Sequence, residues 1–120
     1  MKNNDFLSQL PGMANELPFA ITVCDVNAII LYMNDKSVQT FHKYGGAEII
    51  GTSLFLYHHG NAALKLRELL DTATKNAYTI EKDGIKKMIY QSPWYTDGAF
   101  AGLIELSLEI PMEMPHFVRQ

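Results

Sequence analysis

The sequence predicts an α+β domain built on an antiparallel sheet, and three observations carry that prediction. Residues 77–110 hold three strand-like runs punctuated by Asp83-Gly84 and Asp97-Gly98. Asp-Gly suits a two-residue type I′ turn, because such a turn needs positive φ at both central positions. Two more β-rich runs, 19–24 (FAITVC) and 29–33 (IILYM), stand early in the chain. Helical patterns fill the space between the two groups, and strands with helices gathered between them mark the α+β class.

Length and composition bound the rest. With 120 residues, 48% of them hydrophobic, the chain forms one domain with a proper core. A net charge of -3 with both signs interspersed lacks the clustered Lys and Arg of a nucleic-acid footprint, so no nucleic-acid partner is expected. The basic stretch Lys82–Lys87 reads as a solvated hairpin tip. Cys24 is the single cysteine, so there is neither a disulfide framework nor a CxxC zinc site, and a reducing cytoplasm fits. No run of about 18 apolar residues occurs, so no membrane partner is expected either.

Taken in order, residues 4–14 (NDFLSQLPGMA) space Phe6, Leu7, Leu10 and Met13 as a helix would, with Pro11-Gly12 keeping any helix short or broken. Residues 1–15 are thus expected as a helical segment that covers the sheet's outer face or meets a second copy. Residues 16–110 form the domain, and 111–120 (PMEMPHFVRQ), with two prolines and no period, form an extended tail. Asp25–Ala28 links the first strands into a hairpin. Asn34 is the expected N-cap of a helix that buries Val38, Phe41 and Tyr44 and ends at Gly45-Gly46. Short helical turns are expected at 47–50 and 52–57. The clearest helix runs over 61–75, with Ala62, Leu66, Leu69, Leu70 and Ala73 on one side.

Counting outward from two-residue turns sets the expected register of the last three strands. Tyr78 falls opposite Ile89, Ile89 opposite Leu106, Gln91 opposite Ile104, and Lys87 opposite Leu108. Paired residues share a face and successive residues alternate. Tyr78, Ile80, Ile89, Gln91, Ile104, Leu106 and Leu108 are therefore expected to face inward. Thr79, Glu81, Lys86, Met88, Tyr90, Glu105 and Ser107 are expected outward. Helices on the inner face would then close a chamber with an apolar roof.

The order of elements and three stretches resemble the PAS family of sensory domains over residues 16–110. These are LPFAITVCD with AIILYMN, ending in Asn before a helix; IIGTSLFLYHHGNA; and KDG followed by TDGAFAGLIELSLEI. The resemblance implies a five-stranded antiparallel sheet with helices packed on one face, used for ligand or cofactor sensing and for dimerisation. Flavin photochemistry is disfavoured, because the helical region lacks the reactive cysteine of the flavin-binding type and Cys24 sits in the first strand. A haem type would need an axial His or Met in the pocket, and Met88 is expected to face away.

The candidate ligand-binding set is Gln91, Tyr78, Ile89, Ile104, Leu106, Phe41, His58 and Leu66. Gln91 stands out, since a buried amide without partners costs about 1–3 kcal/mol; a polar ligand, a water or the Tyr78 hydroxyl could supply them. Backbone partners, or a register one residue off, would remove that reason. His58 and His59 are haem-ligand candidates, at most one of them facing the pocket; the competing role is capping at the helix entrance. No cofactor is identified. Nucleophilic catalysis lacks a GxSxG or recognisable triad spacing, Asp25 and Asp35 fall in connections, and Gly45-Gly46 is no phosphate loop. The expectation is a non-catalytic sensory module binding a small molecule, forming a homodimer and relaying to a signalling partner. A haem sensor and a purely structural dimerisation module are the alternatives. Any output lies in another protein or in a longer chain.

Overall fold

The computed structural model describes residues 3–120; of the expected segment 1–15, residues 1 and 2 lie outside the described residues. Five strands, β1 (Ala20–Asp25), β2 (Ile30–Met33), β3 (Asn76–Lys82), β4 (Ile85–Thr96) and β5 (Ala99–Ile110), form one sheet in the order β2-β1-β5-β4-β3. Every neighbouring pair is antiparallel. The helices are α1 (Asn3–Leu7), α2 (Leu10–Glu16), α3 (Asp35–Thr40) and α4 (Asn61–Thr72), with 3-10 turns at His42–Tyr44, Gly46–Ile49 and Leu54–Leu56. Residues 111–120 carry no helix or strand. This is the expected α+β architecture.

The core sits between the inner face of β1, β2 and β5 and the midchain helices. Cys24, Ile30, Met33 and Leu103 from the sheet meet Ile49, Leu54, Leu66, Leu69 and Leu70. On α4 the spacing of Leu66, Leu69 and Leu70 places them on one buried stripe. Ala73 caps that helix in the left-handed region (φ 51), its N–H donating to the Leu69 carbonyl, so α4 stops before Asn76.

Asn34 is fully buried, and all of its side-chain capacity is used. Its Oδ1 accepts from the Ser37 N–H (3.1 Å), capping α3, and from the Ile21 N–H (2.9 Å). Its Nδ2 donates to the Phe19 carbonyl (2.8 Å) and the Ala14 carbonyl (3.0 Å). One side chain thereby ties α2, β1 and α3 together, which offsets the cost of burying an amide. Pro11 and Gly12 lie inside α2, with Pro11 in its first turn, where the missing N–H has no intrahelical acceptor to serve. The break expected at Pro11-Gly12 falls instead between α1 and α2. Phe6, Leu7 and Met13 stay exposed; α2 packs on α3, and Asn15 accepts from the Tyr32 hydroxyl at β2.

Both hairpin turns have the expected positive φ, at Asp83 (54°) and Gly84 (78°) and at Asp97 (51°) and Gly98 (79°). The β3–β4 register is the expected one, with Tyr78 opposite Ile89. The β4–β5 register is not. Tyr95 pairs with Phe100, but Trp94 pairs with Gly102, so Ala101 is an extra residue on β5. Beyond this bulge Gln91 faces Glu105, Ile89 faces Ser107 and Lys87 faces Glu109.

A one-residue slip sends every side chain of a strand to the other face. Ile104, Leu106 and Leu108 thus lie on the outer face, beside Ile21, Val23, Met88 and Tyr90, and Glu105 and Ser107 turn inward. The apolar roof expected for the chamber is corrected accordingly: from β5 only Leu103 supplies it.

Candidate functional site

The register lines up Thr22, Glu105, Gln91 and Asn76 side by side across β1, β5, β4 and β3. They form a polar row across the concave face. Asn76 Nδ2 donates to Gln91 Oε1 (2.8 Å), and Gln91 Nε2 donates to Glu105 Oε2 (2.8 Å). The donors run one way and end on the carboxylate. At the far end the Thr22 hydroxyl bonds the Ser37 hydroxyl of α3.

A small cavity of about 20 Å³ lies over this row, space for about one water molecule. Thr22, Glu105 and Gln91 line it together with Cys24, Leu103, Leu54, Phe41, Leu66 and His58. A larger groove of about 380 Å³ opens beside it, between the start of α4 and the β3 edge. His58 and Gln91 line both spaces, and Asn61, Lys65, Asn76 and Tyr78 line the groove alone. The two side chains form the partition between an inner chamber and its vestibule.

His58 is held by its own backbone turn. Its Nδ1 lies 3.1 Å from the Leu54 carbonyl. A carbonyl can only accept, so Nδ1 carries the proton, and in the neutral ring Nε2 is left as an acceptor. Phe41 packs edge-on against Tyr57, ring centroids 6.3 Å apart, and Tyr57 bonds the Thr52 hydroxyl (2.8 Å).

The structure brings four of the expected ligand-binding residues, Gln91, Phe41, His58 and Leu66, around one cavity. Tyr78 stands at the vestibule, nearly half exposed. Ile89 is buried on the inner face but lies outside the cavity lining. Ile104 and Leu106 are on the opposite face of the sheet, because the bulge at Ala101 shifts β5 by one residue. His58 lines the cavity and His59 does not. Thr22, Cys24, Leu54, Leu103, Glu105 and Asn76 were missed. The signal for Glu105 was Gly102, since an isolated glycine in a strand pattern marks a bulge or a close backbone approach.

Burial pushes the Cys24 thiol above its ordinary value, with Asp25 and then Glu105 adding to the effect against a hydrogen bond from the Leu103 backbone. Burial also raises Tyr78, and the Glu105 charge adds to it. A thiol kept protonated is a poor nucleophile. Asp25 Oδ1 accepts from the Asn27 and Ile29 amides (2.8 and 2.9 Å), a turn-stabilising role.

His58 Nε2 has the chemistry of a haem ligand, and the chamber as it stands, about 20 Å³, would have to open for a porphyrin as for any organic molecule. Among the described residues no group of three His, Cys, Asp or Glu could hold a metal ion.

No family model matches the chain, and no curated protein matches it in sequence. Solved structures do. The PAS domain of an HTR-like protein from Haloarcula marismortui superposes with a TM-score of 0.64 at 16% identity, covering 89% of this chain and 93% of that one. The PAS domain of Bordetella pertussis BvgS gives 0.60 at 22% identity, covering 90% and 88%. The Vibrio cholera VqmA–ligand–DNA complex gives 0.62 at 16% identity, covering 91% of this chain and 51% of that one. The chain therefore has the fold of the PAS sensory domains, as its sequence pattern implies.

The VqmA complex overturns the expectation that nucleic acid is no partner. The same fold is found there in a protein bound to DNA. A balanced charge on one domain does not determine what a protein carrying the fold engages. No helix among the described residues is long and apolar enough to cross a membrane.

Proposed function

We propose that the chain is a sensory module that takes a small molecule into the chamber between the concave sheet face and α4, and relays its occupancy through protein–protein contacts. The observation that carries this reading is the polar row. Asn76, Gln91 and Glu105 are hydrogen-bonded in line beneath apolar walls from Leu54, Leu66 and Leu103. Pockets that bind small molecules combine apolar lining with a few placed polar groups.

Phe41, His58, Leu66 and Gln91 are the contacts, with Ile89 behind Gln91 and Tyr78 at the entrance. In the present conformation the chamber is nearly closed, so entry requires His58 or Gln91 to swing toward the vestibule. A swing of Gln91 breaks its bonds to Asn76 and Glu105, next to Thr22, whose hydroxyl bonds Ser37 of α3. A ligand acts by favouring one of two such arrangements. The half-buried outer-face residues Ile21, Ile104 and Leu106, with the exposed Phe6, Leu7 and Met13, are the relay surface, and a second copy is the expected partner.

Native mass spectrometry of unheated protein tests the reading. A bound mass, released from wild type and absent from Leu66→Trp with its chamber filled, is the expected outcome. A bare mass in every growth condition, with no ligand-dependent shift in oligomer, contradicts it.

A further inference from the structure

The chemistry of the chamber restricts what it can hold. Among the described residues Glu105 is the one charged side chain lining it. The ion pairs among the described residues, Lys65–Glu68 (3.0 Å) and Arg67–Asp71 (3.9 Å), lie on the solvent side of α4, and Glu105 is in neither. Lys65, the cation at the vestibule, is engaged by Glu68. Glu105 Oε2 accepts from Gln91, and Oε1, which is not a buried orphan, has no protein donor among the described residues.

The neighbouring polar groups are mostly committed to one another. Gln91 uses its carbonyl on Asn76 and one amide N–H on Glu105, and keeps its second N–H as a donor. His58 presents an acceptor nitrogen once Nδ1 is committed to Leu54. Phe41 adds an aromatic ring to the wall. The carboxylate charge and the imidazole nitrogen outweigh the one spare N–H of Gln91. An anionic ligand would bring a second negative charge beside Glu105 with no cation between them.

We infer that the chamber, once opened toward the vestibule by His58 or Gln91, selects a small organic amine: a protonated nitrogen that donates to Glu105 and His58, carried on a short apolar body that lies against Phe41, Leu54 and Leu66. This inference rests on the sensory reading proposed above and names the ligand class for that same site. Glu105 and His58 are its specificity-determining residues. Hydrogen bonds to a charged acceptor are the strong ones, so the discrimination resides in the ammonium–carboxylate contact.

Three probes of one shape test it: benzylamine, benzyl alcohol and benzoate, titrated into isotope-labelled full chain and followed by amide chemical shifts. The expected result is saturable shifts at Thr22, His58, Gln91 and Glu105 with benzylamine, at about tenfold lower Kd than benzyl alcohol, and none there with benzoate. In Glu105→Gln the amine falls to within about twofold of the alcohol. Equal or tighter binding of the alcohol or the benzoate to wild type overturns the amine assignment and leaves the sensory reading standing. No cavity shift with any probe overturns the amine assignment, and no bound mass in native spectrometry as well overturns both. Should Glu105→Gln fail to fold, the wild-type ranking of the three probes decides.

Discussion

The hairpins β3–β4 and β4–β5 begin from the same turn and diverge within three residues. Both turn at Asp-Gly with nearly equal φ angles. The first runs without interruption, and most of β3 is exposed at the edge of the sheet. The second meets β1, and there it bulges. Gly102 passes so close to β1 that an added Cβ would sit 1.9 Å from the Cys24 carbonyl oxygen, which itself accepts from the Trp94 indole (3.0 Å). An edge hairpin answers to its turn alone, whereas an interior hairpin also answers to its third strand. That third strand decides which side chains reach the chamber.

The largest expected effect in that comparison is at Gly102. Gly102→Ala places a methyl group into the β1 backbone (1.9 Å to Cys24 O, 2.8 Å to Asp25) at a φ of 148°. A loss of about 3–5 kcal/mol, or failure to fold, is expected in thermal unfolding. Survival with an unchanged Tm would mean that β1 and β5 are not packed this way. Next comes apolar burial on the two hairpins. Ile89→Ala, 6% exposed on β4, should cost about 2–4 kcal/mol. Ile80→Ala, 43% exposed on β3, should cost about 0.5 kcal/mol or less. Urea titrations giving the two equal values would erase the distinction between edge and interior.

The turn glycines supply the matched control. Gly84 and Gly98 have φ near 78° and 79° with open space where a Cβ would go. Each change to Ala should cost about 1–2 kcal/mol from backbone strain alone, and a marked inequality would show that one turn carries tertiary strain.

The smallest effect is alkaline. Cys24 and Tyr78 are raised above their ordinary values of 9.0 and 10.0. A group that is raised on folding contributes stability that is complete below its unfolded value and is lost as pH rises through its folded value. Stability should therefore fall with pH above about 9. Cys24→Ala should flatten that fall more than Tyr78→Phe, because Cys24 is 1% exposed and Tyr78 is 45% exposed. The reverse ranking, measured by unfolding at stepped pH, would place the edge tyrosine in the deeper environment.

Features set by local chemistry were legible in the sequence. Asp-Gly marked both turns, Asn34 marked the start of α3, and the Leu66, Leu69 and Leu70 spacing marked α4. Phe41, His58, Leu66 and Gln91 reached the cavity because they lie in, or are counted from, such local features. Features set by a distant strand were not. The alternation Leu103-Ile104-Glu105-Leu106-Ser107-Leu108 has the same period in either register, and its apolar half was expected to face the chamber. Contact with β1 at Gly102 sends that half outward and brings Glu105 in. Turn counting holds until the first bulge, and period-two patterns carry no sign of which face is the inner one.

The β4–β5 register is the claim on which the polar row, the chamber and its proposed ligand all depend. Cross-strand backbone nuclear Overhauser effects measure it directly. Contacts joining Gln91 to Glu105 and Ile89 to Ser107 are predicted. Contacts joining Gln91 to Ile104 and Ile89 to Leu106 instead would turn Glu105 away from the chamber and contradict the account.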